Sequence, residues 1–313
     1  MNNYPFCGSI PYSRTFPSRL LHLDALLPSL SLKVLKKAEV ARRKQIEHTR
    51  TERRIMEDAV HPFICILHYA FQSEDKLYMI TDYCPGGELF FHLKKLHAFS
   101  ESMVRFYSAE IILGLSHLHD HQIVYRDLKP ENVLLDAEGH VRLTDFGLSR
   151  DNLEHETAAT TFCGTPEYLS PEMIMHRKTR AGYGVSVDWW SLGTLIYEMY
   201  TGWPPFYDKN IRRMCDNILR KTLEFPEKAR FSVESQSLIR GFLEREPTKR
   251  LGVDGGLDRL KAHEFFAVLD WDAAFRRELE PPFKPKVNSD TDIRNFDVTF
   301  TKMVRSKRLE LLY

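Results

Sequence analysis

The chain has 313 residues, 43% of them hydrophobic, enough to build a packed core and to exclude disorder as its default state. Lys and Arg number 44 against 43 Asp and Glu, so a net charge of +1 offers no global field to nucleic acid or an anionic membrane, and neither is expected as a partner. Five scattered cysteines (Cys7, Cys65, Cys84, Cys163, Cys215) have no paired or metal-like spacing, which points to free thiols in a reducing compartment, without disulfides or zinc.

Residues 1–30 are rich in Pro, Ser and Asn and show no periodicity. Their most apolar stretch, Leu20 to Leu32, is cut by Asp24 and Pro28, and no run in the chain approaches about 18 apolar residues. The expectation is a soluble intracellular protein of the cytoplasm, with the nucleus as a second compartment. Strand-like sequence begins at Leu32, and Ala38 to Met56 has the composition of a surface helix with Val40, Ile46 and Ile55 as its buried marks. Its basic residues, Arg42-Arg43-Lys44 and Arg53-Arg54, are mixed with Glu39, Glu47, Glu52 and Glu57, which argues against nucleic-acid binding there. Leu77 to Thr81 reads as a buried strand broken by Pro85-Gly86-Gly87, a boundary at which a cleft between two lobes should open. Ser100 can cap a helix whose Val104, Tyr107, Ile111, Ile112, Leu115 and Leu118 keep helical spacing. Val133-Leu134-Leu135 and Val141-Arg142-Leu143 flank Asp136-Ala137-Glu138-Gly139 as a hairpin. Trp189 to Tyr200 is apolar nearly all round and stops at Gly202 and Pro204-Pro205, as a fully buried helix should.

Around that hairpin the sequence reads Tyr125-Arg126-Asp127-Leu128-Lys129-Pro130-Glu131-Asn132 on one side and Asp145-Phe146-Gly147 on the other. Transfer of a γ-phosphoryl group needs a carboxylate to orient the attacking hydroxyl, and oxygen ligands to hold magnesium on a triphosphate. Asp127, Asn132 and Asp145 are of the right types, and the hairpin would bring Asn132 and Asp145 together. The run resembles the catalytic and magnesium loops of eukaryotic protein kinases. That resemblance implies an α+β, two-lobed kinase fold using ATP and Mg2+, with a small β-rich lobe and a large helical one. It makes Asp127, Lys129, Asn132 and Asp145 catalytic, with Asn132 and Asp145 as magnesium ligands. Lys33, in Ser31-Leu32-Lys33-Val34-Leu35-Lys36, resembles the strand lysine that reaches the α and β phosphates, and Glu52 its helix partner. Thr81, Asp82, Tyr83 and Cys84 correspond to the gatekeeper and hinge at the base, Leu134 to the floor under adenine, and Thr144 precedes the magnesium loop. Lys129-Pro130-Glu131-Asn132 is similar to serine/threonine kinases.

Asp145 to Glu172 resembles an activation segment, with Thr161 as its phosphosite and His48, Arg126 and Arg150 as the groups that would grip the phosphate. An upstream activating kinase is therefore an expected partner. Glu172 resembles the family glutamate that pairs with a later arginine, here Arg250, and Asp188 the aspartate that braces the catalytic loop. The phrases Val187-Asp188-Trp189-Trp190, Pro281-Pro282-Phe283 and Asn295-Phe296-Asp297 narrow the resemblance to the AGC group, nearest the ribosomal protein kinases of RSK and MSK type. Glu88, Glu131 and Glu198 match positions that receive arginines upstream of the target residue, and Thr165 lies on the same substrate-facing segment. Protein substrates with basic residues before Ser or Thr are thus expected for a monomeric enzyme. The domain reading is residues 1–30 irregular, 31–83 small lobe, 84–266 large lobe and 267–313 a shortened AGC-type tail. The first segment departs from the family: Pro11-Tyr12-Ser13-Arg14-Thr15-Phe16-Pro17 stands where a glycine-rich phosphate-covering hairpin belongs. That departure keeps a second reading in view, a pseudokinase that scaffolds or competes for kinase partners.

Overall fold

The computed structural model describes residues 30–150, 165–179 and 183–297 of the chain. Strand β1 (Leu30–Lys36) is followed by helices α1 (Lys37–Arg42) and α2 (Ile46–Asp58), then β2 (Leu67–Gln72) and β3 (Lys76–Asp82). The strands form an antiparallel sheet in the order β1-β3-β2, with Ser31 opposite Thr81 and Lys33 opposite Met79. This register puts Ser31 and Lys33 on one face of the sheet, because alternate side chains of a strand share a face.

The single helix expected from Ala38 to Met56 is two. Lys44 takes a left-handed φ of 54°, which a right-handed helix cannot accommodate. Arg42, Arg43, Lys44 and Gln45 are all exposed and carry no apolar side chain to hold a helical turn against the sheet, so packing does not enforce continuity there. Helix α2 restarts at Ile46 and buries Thr49, Glu52, Arg53, Ile55 and Met56, a stripe that includes charged residues.

Beyond the chain reversal at Pro85, β4 (Gly87–Glu88), β5 (Val133–Leu135) and β6 (Val141–Leu143) form a small antiparallel sheet in sequence order, as the hairpin reading anticipates. One Asp136 carboxylate oxygen accepts from the amides of Glu138, Gly139 and His140 at 3.2, 3.1 and 2.9 Å, which explains why this turn closes where it does. Helix α3 (Leu89–Leu96) leads into α4 (Glu101–Asp120), whose N-cap Ser100 accepts from the Met103 amide at 3.4 Å. The six residues picked out by spacing on α4 are all fully buried.

Helices α5 (Pro171–Thr179), α6 (Ser186–Thr201), α7 (Ile211–Arg220), α8 (Val233–Phe242), α9 (Gly256–Lys261) and α10 (Trp271–Phe275) complete the large lobe. Helix α6 is buried on every side between α4 and α8, and it ends at Gly202 with φ 76°, where a β-carbon would collide with the His97 carbonyl. Arg250 is 0% exposed; it forms a double ion pair with Glu172 at 2.5 and 3.0 Å and lies over the Trp190 ring at 5.2 Å. The chain then returns along the hairpin and hinge. Arg277 pairs with Asp136, Phe283 packs edge-on against His92, and the Asn295 amide donates to the Pro85 carbonyl at 3.0 Å. No helix among the described residues is long and apolar enough to cross a membrane.

Candidate active site

The loop before β5 is shaped by one buried carboxylate. Asp188, near the start of α6, accepts from the Tyr125 amide at 2.8 Å and the Arg126 amide at 2.7 Å, and its outer oxygen also meets His119 at 2.8 Å. These bonds hold Arg126 at φ 65°, a left-handed conformation costly for a residue with a side chain. The next residue, Asp127, is thereby set into the cleft. Its carboxylate accepts from Lys129 Nζ at 2.9 Å and Asn132 Nδ2 at 2.8 Å, and the same Asn132 amide donates to the Asp127 carbonyl at 2.8 Å. Burial pushes the Asp127 carboxyl above its usual range, with Lys129 opposing, so it is a better proton acceptor than an exposed aspartate.

Asn132 spends its nitrogen on Asp127, which leaves its side-chain oxygen to act as a ligand. The hairpin ties this loop to Asp145: the Thr144 amide donates to the Asn132 carbonyl at 3.1 Å, and the Tyr125 hydroxyl donates to the Thr144 carbonyl. Asp145 itself has φ 58°, and Phe146 behind it is fully buried edge-on to Tyr125 at 5.3 Å. Thr144 thus acts through its backbone, positioning the magnesium loop.

From the small lobe, Lys33 Nζ reaches Glu52 Oε1 at 2.6 Å and stands 3.8 Å from Asp145 Oδ1. Burial alone would lower the Lys33 pKa, but Glu52 and Asp145 outweigh it and raise it, so the ammonium stays charged. A cation fixed by one carboxylate and next to a second, with the Asn132 oxygen and the Asp145 carboxylate open to the cleft, fits a magnesium nucleoside triphosphate.

At the hinge the side chains turn away from the base site. Asp82 accepts from the Ile66 amide at 3.1 Å and meets His68 at 2.7 Å, while the buried Cys84 thiol lies beside Cys65. Among the described residues none accepts from the Cys84 amide, which leaves backbone groups of the hinge, rather than the Asp82 or Cys84 side chains, free to pair with a ligand in the cleft. Thr81 is half-buried on β3, and Leu134 is half-buried on β5 opposite Glu88. Sequence reasoning gave the hinge no partner; the structure shows one. Tyr83 donates to the Asp292 carbonyl at 2.7 Å and stacks on Phe296 at 5.8 Å, so the returning tail crosses the hinge.

His48, Arg126 and Arg150 come together below α2: burial lowers the His48 pKa first, and the charges of Arg126 and Arg150 lower it further. Arg126 also donates to the Leu148 carbonyl at 2.6 Å and to the Tyr183 hydroxyl at 3.3 Å, and Arg150 is bound to Val124 through paired backbone hydrogen bonds of 2.9 Å. The three basic side chains thus lie within electrostatic reach of one another. Thr161, the phosphosite expected to supply a phosphate there, lies outside the described residues.

On the opposite side of Asp127 the carboxylates converge. Glu131 is electrostatically coupled to Glu88, Glu198 and Glu167, and one of its buried oxygens has no hydrogen-bond partner. Glu198 accepts from the Tyr168 hydroxyl, yet burial drives its pKa up to about 7. Glu88, Glu131, Glu167 and Glu198 repel one another, and of the described cations only Lys129 offsets the charge of Glu131, so the cluster favours a further cation. Thr165 sits at the start of the 3-10 helix Pro166–Tyr168 and makes no side-chain hydrogen bond to the catalytic loop. Tyr168 was given no role from sequence, where only its place in the activation segment pointed to it, and Glu167 served only to mark the AGC resemblance.

Residues 28–266 match the protein kinase domain family. The chain is 52% identical over 272 residues to Protein kinase 2 of Dictyostelium discoideum, covering 87% of this chain and 55% of that protein. It is 45% identical over 273 residues to the Serine/threonine-protein kinase Sgk1 of Homo sapiens, covering 87% of this chain and 62% of that one. Sgk1 of Gallus gallus is 46% identical over 272 residues with the same coverage. The chain spans less than two thirds of the length of these relatives, whose names are neither RSK nor MSK. With the catalytic loop, magnesium loop and lysine-glutamate pair assembled around one cleft, the chain belongs to the protein kinase family and to its AGC group.

Proposed function

We propose that this protein transfers the γ-phosphoryl group of ATP to serine or threonine hydroxyls of protein substrates that carry arginines upstream of the target. The observation that supports this reading best is the assembled cleft. Lys33 stands 2.6 Å from Glu52 and 3.8 Å from Asp145, while Asp127 is held by Lys129 and Asn132 at 2.9 and 2.8 Å. When bound, Mg-ATP supplies the phosphoryl group and the metal charge that neutralises its oxygens. Lys33 would hold the α and β phosphates, and Asn132 and Asp145 the metal. Asp127 orients the attacking hydroxyl and takes its proton, and Lys129 balances charge on the moving group. Glu131 and Glu198, aided by Glu88, receive substrate guanidiniums. Phosphorylation of Thr161 by an upstream kinase would place about two negative charges near His48, Arg126 and Arg150.

One observation favours a second reading, a non-catalytic scaffold: the sequence has no glycine between Gly8 and Gly86, so no glycine-rich loop precedes Lys33. Substrate choice is tested by measuring kcat/KM for a serine peptide with arginines two and three residues before the serine and for the same peptide with alanines there. The arginine peptide should be preferred at least tenfold, and Glu131→Gln and Glu198→Gln should each erode that preference. Equal rates for the two peptides would overturn the arginine reading.

A further inference from the structure

Behind the hinge, one guanidinium stands between two carboxylates that belong to different lobes. Arg142, in the middle of β6, has its Nη1 3.8 Å from Asp82 at the end of β3 and its Nε 3.8 Å from Asp136 at the β5–β6 turn. Its Nη1 also donates to the carbonyl of Ile64, between α2 and β2, at 3.5 Å. The side chains of Arg142, Asp82 and Asp136 are only 15%, 18% and 12% exposed, so solvent and salt screen their charges less than those of a surface pair.

Both carboxylates are anchored elsewhere, so Arg142 spans two fixed points. Asp82 accepts from the Ile66 amide and meets His68, which binds it to the small-lobe sheet. Asp136 accepts from three amides of its own turn and pairs with Arg277 of the tail. Arg142 itself lies opposite Leu134 in the β5–β6 ladder, and opposed residues share a face of the sheet. The same strand runs on to Thr144 and Asp145. The guanidinium thus holds the strand that leads into the magnesium loop against the hinge.

We propose, on the reading of the cleft as a Mg-ATP site, that Arg142 is a positioning residue for the nucleotide: by bridging Asp82 and Asp136 it sets the spacing between the hinge and the β5–β6 hairpin, the two surfaces that would clasp the base. It acts through Asp82, Asp136 and Leu134 rather than on the reacting atoms. Without its charge the two carboxylates flank one partly buried space, and their repulsion widens the gap behind the hinge. Asp127, Lys129 and Asn132 are bonded to one another and make no hydrogen bond or ion pair with Arg142 among the described residues. Nucleotide binding should therefore suffer while the transfer step does not.

The test is the dissociation constant of N-methylanthraniloyl-ADP with Mg2+, read by fluorescence on the whole chain, so that it is independent of turnover. Arg142→Gln keeps a donor for Ile64 but no charge, and it should weaken binding about fivefold or more; Arg142→Met is a second neutral variant with the same expected loss. Arg142→Lys should stay within about twofold of the wild type. Adding Asp82→Asn to Arg142→Gln removes an uncompensated carboxylate and should tighten binding again by about twofold or more, a recovery that loss of a merely structural contact would not give. In peptide phosphorylation, Arg142→Gln should raise the KM for ATP and leave kcat within about twofold. A wild type that binds nucleotide without transferring phosphate would refute the proposed function, while the binding constants would still decide the role of Arg142. Equal affinities of the wild type and both neutral variants, an equal loss in Arg142→Lys, or no saturable nucleotide binding by the wild type would each overturn the proposal.

Discussion

Glu198 shows how a single residue sets a measurable property of the site. Its folded pKa of about 7 lies above the ordinary carboxyl value of 4.5, because burial disfavours the charged form. The folded state therefore holds the proton more tightly than the unfolded state. Stability from this group is complete below pH about 4.5 and declines as pH rises through about 7. Glu198→Gln keeps an acceptor for the Tyr168 hydroxyl and removes that decline, so urea unfolding at pH 5 and pH 8 should show roughly 2–4 kcal/mol less loss in the variant than in the wild type. Ionisation also creates the charge that attracts a guanidinium, so the KM for an arginine peptide should fall between pH 6 and 8 in the wild type and stay level in Glu198→Gln. The position of this glutamate was legible by resemblance; its titration was not, since it depends on burial and on Tyr168, 30 residues away in sequence.

At the scale of elements, the readable features were those whose causes are local. Helices α4 and α6 follow from spacing, a serine cap and a terminal glycine, and the β5–β6 hairpin follows from Asp136 at its turn. The break between α1 and α2 was missed because helix propensity runs on through Arg42 to Gln45, whereas the sheet offers that stretch nothing to pack on. The tail crossing the hinge was also illegible, because its partners are about 210 residues apart. Two changes test these contacts. Arg250→Ala leaves Glu172 without its partner inside the large lobe and should cost about 3–5 kcal/mol in equilibrium unfolding. Gly87 has φ 74° and the Asn295 backbone directly against it, so Gly87→Ala should dislodge the tail. Limited proteolysis should then cut residues 286–297 faster than in the wild type while the large-lobe core stays resistant.

At the scale of the molecule, the catalytic groups come from both lobes, and Lys33 on the small lobe meets Asp145 of the large lobe across 3.8 Å. Their alignment depends on α2, which carries both Glu52 and His48. A phosphate on Thr161 that engages His48, Arg126 and Arg150 would therefore steady the helix that orients Lys33. Phosphorylation should raise kcat/KM at least tenfold, and Arg126→Ala should remove most of that gain while leaving the unphosphorylated rate within a few fold. Resemblance carried the large-lobe side of the cleft because its residues cluster in two short runs, Tyr125 to Asn132 and Asp145 to Gly147. The absence of a glycine-rich loop before Lys33 is what makes turnover the central question. The most direct test measures transfer of labelled γ-phosphate from Mg-ATP to an arginine-rich serine peptide by the wild type and by Asp127→Asn, both with Thr161 phosphorylated. Steady transfer by the wild type and a loss of about 10²–10⁴-fold in the variant are expected. Equal background incorporation by the two proteins would contradict phosphoryl transfer by this chain and leave the scaffold reading in its place.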